Sequence, residues 1–264
     1  MRIVSWNINS VRLRAPLIEQ LIAQINPDII CLQEIKCPND SFPEKQLRKA
    51  GFEHCAVNGI KGYHGVATLS REPFVETNII DYCNKGDGRH IATTHMLGKT
   101  SFTIHNFYVP AGGDEADPEI NEKFAHKLNF LAEMKQQFTA AQQADKMVLV
   151  GDLNIAPFEH DVWSSKQLRK VVSHTDIERQ IMGELRDTLN WEDVARRFVP
   201  ETEKLYSWWS YRAKDWDAAD KGRRLDHIWV TPNLSQHVTH YDVVREARGW
   251  ERPSDHAPLF IDMA

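Results

Sequence analysis

Apolar residues along the chain alternate between short runs typical of buried strands and one-sided spacings typical of amphipathic helices. A β-rich run over 2–8 precedes a helical stretch over 15–25, which Pro27 ends. A long amphipathic helix is predicted over about 119–143, with Phe124, Leu128, Leu131 and Met134 spaced for burial, and 164–200 is mainly helical and polar. Further strands are predicted over 29–32, 66–69, 102–109, 147–150, 224–230 and 256–263. Strands interleaved with helices indicate an α/β protein whose sheets are covered by helices and whose working residues lie at strand ends.

The chain has no Gly/Ser linker, low-complexity tract or short-period repeat. The run 147–150 looks like the opening strand of a second, similarly built half. A length of 264 residues allows one large domain or two small ones. We expect residues 1–264 to form one continuous domain.

Composition narrows the class of protein. Hydrophobic residues at 42% and charged residues at 26% are ordinary globular usage, and no apolar run is long enough to span a membrane. The net charge of −5 argues against a protein that coats nucleic acid by its overall charge, but it allows a local basic face. The four cysteines form no CxxC pair, and the first seven residues lack the apolar stretch of a secretion signal. A cytoplasmic protein without a disulfide framework or zinc site is therefore expected.

Six predicted strand boundaries carry carboxylate, amide, phenol or imidazole groups. They are Asn7 with Asn9, Glu34, Tyr108, Asp152 with Asn154, Asp226 with His227, and Asp255 with His256. A cluster of Glu34, Asp152, Asp255 and two asparagines would offer hard oxygen ligands, which suit Mg²⁺ or Mn²⁺ better than Zn²⁺ or copper. Because Mg²⁺ is usually shared between carboxylates and substrate phosphate oxygens, the pattern predicts a reaction at phosphorus.

Each of these residues, taken singly, has a structural interpretation that is more common. An Asp at a strand end usually caps a helix or turn, and a Tyr that ends an apolar strand is usually part of the core. His90, His95, His105, His126 and His174 show no metal-ligand spacing, so we predict structural roles for them. Only the combination of motifs favours a functional site.

Six segments, taken in order and spacing, resemble the exonuclease III family of apurinic/apyrimidinic endonucleases, within the larger endonuclease, exonuclease and phosphatase superfamily. They are 5–9 (Ser-Trp-Asn-Ile-Asn), 32–34 (Leu-Gln-Glu), 108–110 (Tyr-Val-Pro), 151–154 (Gly-Asp-Leu-Asn), 224–226 (Arg-Leu-Asp) and 254–258 (Ser-Asp-His-Ala-Pro). The resemblance covers essentially the whole chain. It implies a four-layered α/β sandwich, with two packed mixed sheets flanked by helices and an active site at strand ends on one edge.

The resemblance also implies roles for the matching residues. Glu34 matches a magnesium-binding carboxylate, with the Asn7 amide close to the ion. Asp152 matches the acid/base residue that handles the proton of water or of the leaving group. Asn154 matches a donor to charge developing at phosphorus, and Tyr108 a hydroxyl that points into the site.

Two further matches concern the imidazole and its surroundings. Asp226 matches the carboxylate that holds the imidazole of His256, and Asp255 lies near the metal. The implied metal site comprises Asn7, Glu34, Asp152, Asn154, Asp255 and His256, with Mg²⁺ as the cofactor and Mn²⁺ as an alternative. Elementary electrostatics agrees, because a carboxylate beside His256 raises its pKa and an imidazolium stabilises negative charge that grows on a phosphodiester.

The segment 207–224 interleaves tryptophans and tyrosine with cations. Bases and sugars stack on aromatic rings while phosphates attract the cations Arg212, Lys214, Lys221, Arg223 and Arg224. The alternative is a solvated loop with structural tryptophans. By resemblance, Trp208 lines the pocket for an extruded abasic sugar, and Tyr63 and Arg89 lie in loops that approach the DNA backbone.

The implied function is repair of duplex DNA by a monomer. Such an enzyme hydrolyses the phosphodiester 5′ to abasic sites and removes blocked or normal nucleotides from 3′ ends. One departure from the family pattern is Ala111, where many members carry an amide, so a phosphate contact is expected to be missing.

Other members of the superfamily offer alternatives, namely inositol-polyphosphate phosphatases, sphingomyelinases and nucleases resembling deoxyribonuclease I. The Arg-Leu-Asp-His at 224–227 lacks the Cys-Asp-Arg of phosphoinositide enzymes, and the absence of a secretion signal argues against a lipase or digestive nuclease. A catalytically inactive nucleic-acid-binding module is the alternative of a different class.

Overall fold

A computed structural model describes residues 1–264, which form fourteen strands and eight α-helices. The strands are β1 (Arg2–Asn7), β2 (Ile29–Gln33), β3 (His54–Asn58), β4 (Val66–Ser70), β5 (Glu76–Asn78), β6 (His90–Leu97), β7 (Thr100–Tyr108), β8 (Met147–Asp152), β9 (Glu192–Asp193), β10 (Trp208–Trp209), β11 (Gly222–Arg223), β12 (Asp226–Val230), β13 (Val238–Val243) and β14 (Leu259–Met263). The helices are α1 (Val11–Ile25), α2 (Glu44–Lys49), α3 (Glu122–Ala140), α4 (Ser165–Leu168), α5 (Asp176–Asp187), α6 (Val194–Phe198), α7 (Trp216–Ala219) and α8 (Pro232–Ser235).

Two six-stranded mixed sheets form the centre of the molecule. The first has the strand order β13-β14-β1-β2-β4-β3, and the second has the order β5-β6-β7-β8-β12-β9. Each contains one parallel pair, β1 with β2 in the first sheet and β7 with β8 in the second, while its other pairs are antiparallel. A two-stranded ribbon of β10 and β11 stands apart from both sheets.

Three apolar clusters hold four layers together. The cluster between the sheets combines Ile3 and Ile29 of the first sheet with Ile104, Val150 and Ile228 of the second. A second cluster joins the outer face of the first sheet to α1 and α2, and a third joins the outer face of the second sheet to α3 and α5. The predicted four-layered α/β sandwich is therefore confirmed.

The main strands and helices lie where the hydrophobic pattern predicts them, with bounds that shift by a few residues. The first helix begins at Val11 rather than at 15, but Arg14 has a non-helical backbone, so the regular helix starts at Ala15 with Pro16 in its first turn. The long helix spans Glu122–Ala140, where buried Lys127 faces the core and Leu128 is only half-buried.

Several strands are absent from the sequence prediction. The strand β6 contains two threonines and two histidines among its apolar residues, and β13, on an edge of its sheet, buries only Val238 and Tyr241. Neither pattern gives the continuous apolar run by which the central strands are recognised. No helix in the chain combines the length and the apolar character needed to cross a membrane.

Candidate active site

The pairing of strands brings the predicted residues to one edge of the sandwich. Asp152 ends β8, and the register places it beside Tyr108 at the end of β7 and beside Asp226 at the start of β12. Asn7 ends β1 of the other sheet, and Glu34 follows β2 directly. Residues far apart in sequence thus meet because the strands that carry them end at the same edge.

Gly151 allows β8 to run close to β7 at this edge. It has a φ of 140°, and a Cβ there would lie 1.9 Å from the backbone oxygen of Phe107. A side chain at 151 would push Asp152 away from its neighbours. The Gly-Asp-Leu-Asn motif therefore requires glycine at this position for steric reasons.

Two buried carboxylates flank one imidazole at the centre of the site, and we call Asp152, Asp226 and His256 the catalytic cluster. His256 Nδ1 lies 2.8 Å from Asp226 Oδ2, and His256 Nε2 lies 3.7 Å from Asp152 Oδ2. All three side chains are almost fully buried. Ser207 Oγ donates to Asp226 Oδ2 over 2.6 Å, while Asp226 Oδ1 is buried without a hydrogen-bond partner.

The environment shifts the pKa values of Asp152 and His256 within the catalytic cluster. Burial raises the pKa of Asp152 to about 7 and the neighbouring Asp226 adds to this, although His256 and the Asn7 amide oppose it. Burial lowers the pKa of His256, but Asp226 and Asp152 outweigh burial and raise it to about 10. At neutral pH, His256 is therefore a cation, and Asp152 can exchange a proton.

Asn7 and Asn154 orient the Asp152 carboxylate. Asn7 Nδ2 donates to Asp152 Oδ2 over 2.8 Å, and the Asn154 backbone amide donates to Asp152 Oδ1 over 3.0 Å. The Asn154 side-chain amide donates to the Val109 carbonyl over 3.0 Å, which leaves its second hydrogen for another acceptor. Asn154 has a φ of 53°, a left-handed conformation that costs free energy and is common at functional sites.

Glu34 lies beside the catalytic cluster and has two partners. It accepts a hydrogen bond from the Tyr108 hydroxyl, and Lys36 Nζ lies 3.0 Å from its Oε2. Burial together with Glu34 and Asp152 raises the pKa of Tyr108 far above its usual range, so its hydroxyl is a donor at any physiological pH. Glu34 and Lys36 both adopt positive φ values, 50° and 52°, which turn this loop into the site.

Asp255 precedes His256 in the chain, and its side chain binds Trp208. Asp255 Oδ2 accepts from Trp208 Nε1 over 2.9 Å, and its Oδ1 accepts from Asn9 Nδ2 over 2.9 Å. Burial opposes its ionisation, but His256 and these two donors lower the pKa of Asp255. Both carboxylate oxygens are thus used within the protein, and Asp255 fixes the edge of the indole at the rim of the site.

Tyr63 and Arg89 border a groove next to Tyr108. Tyr63 is 76% exposed and can meet a ligand directly. Arg89 is buried, with its guanidinium 4.9 Å from the Tyr108 ring, and it donates to the Tyr108 carbonyl over 3.1 Å. Its remaining nitrogens contact Asp87 and His64, so Arg89 supports Tyr108 from behind.

The cations of the segment 207–224 have different surroundings. Arg224 is fully buried and pairs with Asp161 and Asp193, so the expectation that it faces nucleic acid is wrong. Arg212 and Lys221 are exposed, and Arg223 is half-buried beside the Trp208 ring. His227, which follows Asp226, forms no side-chain hydrogen bond with another residue of the site. Its Nε2 contacts the Ile155 carbonyl at 2.8 Å, and burial lowers its pKa to about 3.

The donor set fits a hard divalent cation. Carboxylate oxygens of Asp152 and Asp226 lie within 4.8 Å of each other, and Asp226 Oδ1 is a buried carboxylate oxygen without a partner. Two carboxylates and one imidazolium leave negative charge uncompensated, and Glu34 adds a third carboxylate nearby. Oxygen ligands with surplus negative charge match the preference of Mg²⁺ and Mn²⁺.

Sequence reasoning missed three residues that support the site. Lys36 neutralises Glu34 two positions along the chain, and Ser207 binds Asp226. Lys127 is fully buried and donates to the Asn154 carbonyl over 2.8 Å, while also pairing with Glu178. A lysine at a position where the helical pattern requires burial was the available signal for Lys127.

Known proteins match this chain over nearly its whole length. Residues 4–256 match the endonuclease/exonuclease/phosphatase family. Exodeoxyribonuclease III of Haemophilus influenzae is 32% identical over 273 residues, which cover 99% of each chain.

Solved structures agree with this match. The 3′ phosphatase NExo from Neisseria, bound to a product DNA hairpin, has a TM-score of 0.89 at 32% identity and covers 100% of this chain and 99% of its own. An AP endonuclease from Archaeoglobus fulgidus has a TM-score of 0.91 at 29% identity with the same coverage. The resemblance predicted from the six motifs is confirmed.

Proposed function

The chain belongs to the endonuclease/exonuclease/phosphatase family and is a DNA repair nuclease, and from this premise we propose how and where it cuts. The enzyme hydrolyses the phosphodiester 5′ to abasic sites in duplex DNA and removes blocked or normal nucleotides from 3′ ends. The observation that carries this proposal is the geometry of the catalytic cluster, in which His256 Nδ1 lies 2.8 Å from Asp226 and His256 Nε2 lies 3.7 Å from Asp152.

Asp152 is the proton acceptor in the proposed reaction. As water attacks phosphorus, the bond between phosphorus and the 3′ oxygen of the upstream nucleotide breaks, and one water proton passes to Asp152, whose raised pKa suits a base. The departing 3′ oxygen takes up a proton from solvent water and leaves as a hydroxyl. Hydrogen bonds from Asn7 and from the Asn154 backbone hold the carboxylate in place.

His256 and Asn154 stabilise the charge that grows on the phosphate oxygens. Asp226 keeps the imidazole protonated and fixes its orientation, because it bonds Nδ1 and leaves Nε2 directed toward Asp152. Preorganised donors of this kind contribute more to the transition state than to the ground state. An inactive binding module has no need for such an arrangement of buried charges.

A divalent cation, with Mg²⁺ preferred and Mn²⁺ as the alternative, would neutralise charge on the scissile phosphate. Glu34 and Asp152 are the carboxylates that would hold it, with Asn7 and Asn154 beside them. Tyr108 and Lys36 orient Glu34 for this role. Asp255 acts as a positioning residue for Trp208 because both of its oxygens are already bonded.

The substrate-binding residues extend from the catalytic cluster in two directions. On one side, Trp208 is the wall against which an extruded abasic sugar packs, because turning out a sugar without a base costs little stacking energy. On the other side, exposed Tyr63 contacts the DNA backbone, and Arg89 acts through Tyr108.

The proposal includes one domain over 1–264 that works as a monomer in the cytoplasm. The apolar cluster shared by both sheets supports a single folding unit, and the four cysteines are all unpaired. Light scattering coupled to size-exclusion chromatography tests the monomer, which requires a mass close to 30.5 kDa.

The test of the proposed function is cleavage of end-labelled duplexes that carry an abasic site, a 3′-phosphate or a recessed 3′ end. We expect cleavage with added Mg²⁺ and none with a chelator. Glu34→Gln removes the charge that attracts the cation while it keeps the shape, so activity should fall at least about a hundredfold. Chelator-resistant cleavage, or a Glu34→Gln variant with normal activity, would overturn the metal assignment.

A further inference from the structure

A second cleft lies behind Trp208, and the residues that line it differ in type from those of the catalytic cluster. It has a volume of about 370 Å³, and its walls contain four tryptophans, three cations and no carboxylate. The residues that matter here are Trp163, Trp208, Trp216, Arg212, Lys221 and Arg223, and we call them the tryptophan cleft. In a chain with a net charge of −5, a concentration of cations without acids requires an explanation.

The cations of the tryptophan cleft have no acidic partners in the protein. Arg223 uses only Nη1, which donates to the Val172 carbonyl and to Ser173 Oγ, while its Nε is buried without a partner. Neighbouring Arg224, in contrast, engages two aspartates with all three of its nitrogens. A half-buried guanidinium with free donors is an anion-binding group.

Two of these cations lie against the rings of the cleft. Lys221 Nζ is 4.7 Å from the centre of the Trp163 ring, and the Arg223 guanidinium is 5.4 Å from the centre of the Trp208 ring. The acids of this region serve other partners, since Asp217 and Asp220 pair with Arg245. Each of these two cations lies over a ring face, so the cleft combines indole rings with positive charge.

We propose that the tryptophan cleft is a subsite for an unpaired nucleotide of the DNA substrate, whose base stacks on tryptophan and whose phosphate meets Arg223 and Lys221. Aromatic faces next to cations are the pattern that binds single-stranded nucleic acid. A bare abasic sugar has no base to place on these rings. The inference rests on the proposed function, and it extends the substrates to ends that carry a mismatched or frayed nucleotide.

The position of the cleft explains how such a nucleotide would reach the reaction. Trp208 borders both places, since its Nε1 bonds Asp255 beside His256 and its ring faces Arg223. A nucleotide that leaves the duplex next to the scissile phosphate would enter the cleft past Trp208.

Binding without cleavage tests the subsite directly. In the presence of a chelator, calorimetry compares dAMP, deoxyribose 5-phosphate and inorganic phosphate as ligands of the full chain. Because stacking contributes to binding, we expect dAMP to bind about tenfold more tightly than deoxyribose 5-phosphate. Equal affinities for these two probes would overturn the proposal.

Substitutions locate the binding. Lys221→Gln and Trp163→Leu should each weaken dAMP binding at least about threefold, whereas Trp163→Phe keeps an aromatic face and should retain most of the affinity. Lys204→Gln is the matched control, because Lys204 is exposed and lies outside the cleft. If Lys221→Gln binds dAMP as tightly as Lys204→Gln does, the nucleotide binds elsewhere and the proposal is wrong.

Cleavage then separates this inference from the proposed function. With Mg²⁺, the wild-type chain is given duplexes whose 3′-terminal nucleotide is either paired or mismatched. We expect faster removal of the mismatched nucleotide and loss of that preference in Lys221→Gln. Failure of the wild type to cleave any duplex would contradict the proposed function, whereas cleavage with the same preference in both proteins would contradict only the subsite.

Discussion

Two buried clusters of charged residues lie next to each other at the start of β12. One keeps a surplus of negative charge, whereas the charges of the other cancel. The catalytic cluster contains two carboxylates and one imidazole, and one carboxylate oxygen has no partner. The second group, which we call the arginine cluster, consists of Asp161, Asp193, Arg196 and Arg224, so its formal charges cancel.

The contacts within the two clusters show the same difference in charge balance. Arg224 donates four hydrogen bonds of 2.8 to 3.0 Å to Asp161 and Asp193, and Arg196 contacts Asp161 at 2.5 Å. The Asp152 carboxylate, in contrast, faces Asp226 across the strand pair, and this raises the pKa of Asp152. A cluster that maintains the fold satisfies its own charges, whereas a cluster that binds a cation and moves protons keeps a surplus.

The arginine cluster predicts the largest effect on stability. Arg224→Leu leaves buried Asp193 without a cationic partner and leaves Asp161 with Arg196 alone. The free energy of unfolding should therefore fall by about 3–5 kcal/mol. Urea denaturation followed by circular dichroism measures it. Arg197→Gln breaks the half-exposed pair between α6 and Glu192 of β9 and serves as the control, with an expected loss of about 0–1 kcal/mol. A loss below about 1 kcal/mol for Arg224→Leu would erase the contrast between the two clusters.

Substitutions in the catalytic cluster should affect activity much more than stability. Asp152→Asn and His256→Ala should each lower kcat by on the order of 10² or more, since each removes a proton-transfer or charge-stabilising group. Asp152→Asn should leave the free energy of unfolding nearly unchanged, because it also removes repulsion from Asp226. Steady-state cleavage of an abasic duplex is the measurement, with Asp187→Asn on the exposed end of α5 as the control. Near-normal turnover in either variant would mean that the catalytic centre lies elsewhere.

The rim of the catalytic cluster predicts a change in selectivity. Trp208→Ala removes the wall of the abasic pocket, so discrimination between abasic and normal sites should fall by about tenfold, while cleavage of a 3′-phosphate end falls less. Ratios of kcat/KM for the three substrates measure this. If all three activities decline in proportion in a folded variant, Trp208 supports the scaffold of the site rather than the choice of substrate.

His105 is a buried imidazole without a carboxylate partner, and its pKa can be compared with that of His256. Burial lowers the pKa of His105 to about 4, whereas Asp226 and Asp152 raise that of His256. Because the unfolded chain takes up a proton near pH 6.5 and folded His105 does not, the free energy of unfolding should fall as the pH decreases from 6.5 to about 4.

His105→Gln should make this acid-induced loss between pH 7 and pH 4.5 smaller by about 2 kcal/mol. Urea denaturation at pH 7, 5.5 and 4.5 under constant ionic strength measures the slope. Identical slopes for the variant and the wild type would show that His105 does not contribute to the pH dependence.

The sequence by itself determined the elements whose signal is local. Mostly apolar runs identify β2, β4 and β8, because a strand buried on both faces has few polar positions, and helical spacing identifies α1 and α3. The six motifs at strand ends were sufficient for the family, since polar residues that follow apolar runs can be recognised without coordinates.

Tertiary structure decided which charges meet. Arg223 and Arg224 are neighbours in sequence, yet one is free in a cleft and the other is fully paired, because successive residues of an extended chain point to opposite sides. Lys127 lies where the helical spacing of α3 requires burial, but only the tertiary structure places it against Asn154. Such differences depend on contacts between residues far apart in the chain, and a pattern of neighbouring residues carries no information about them.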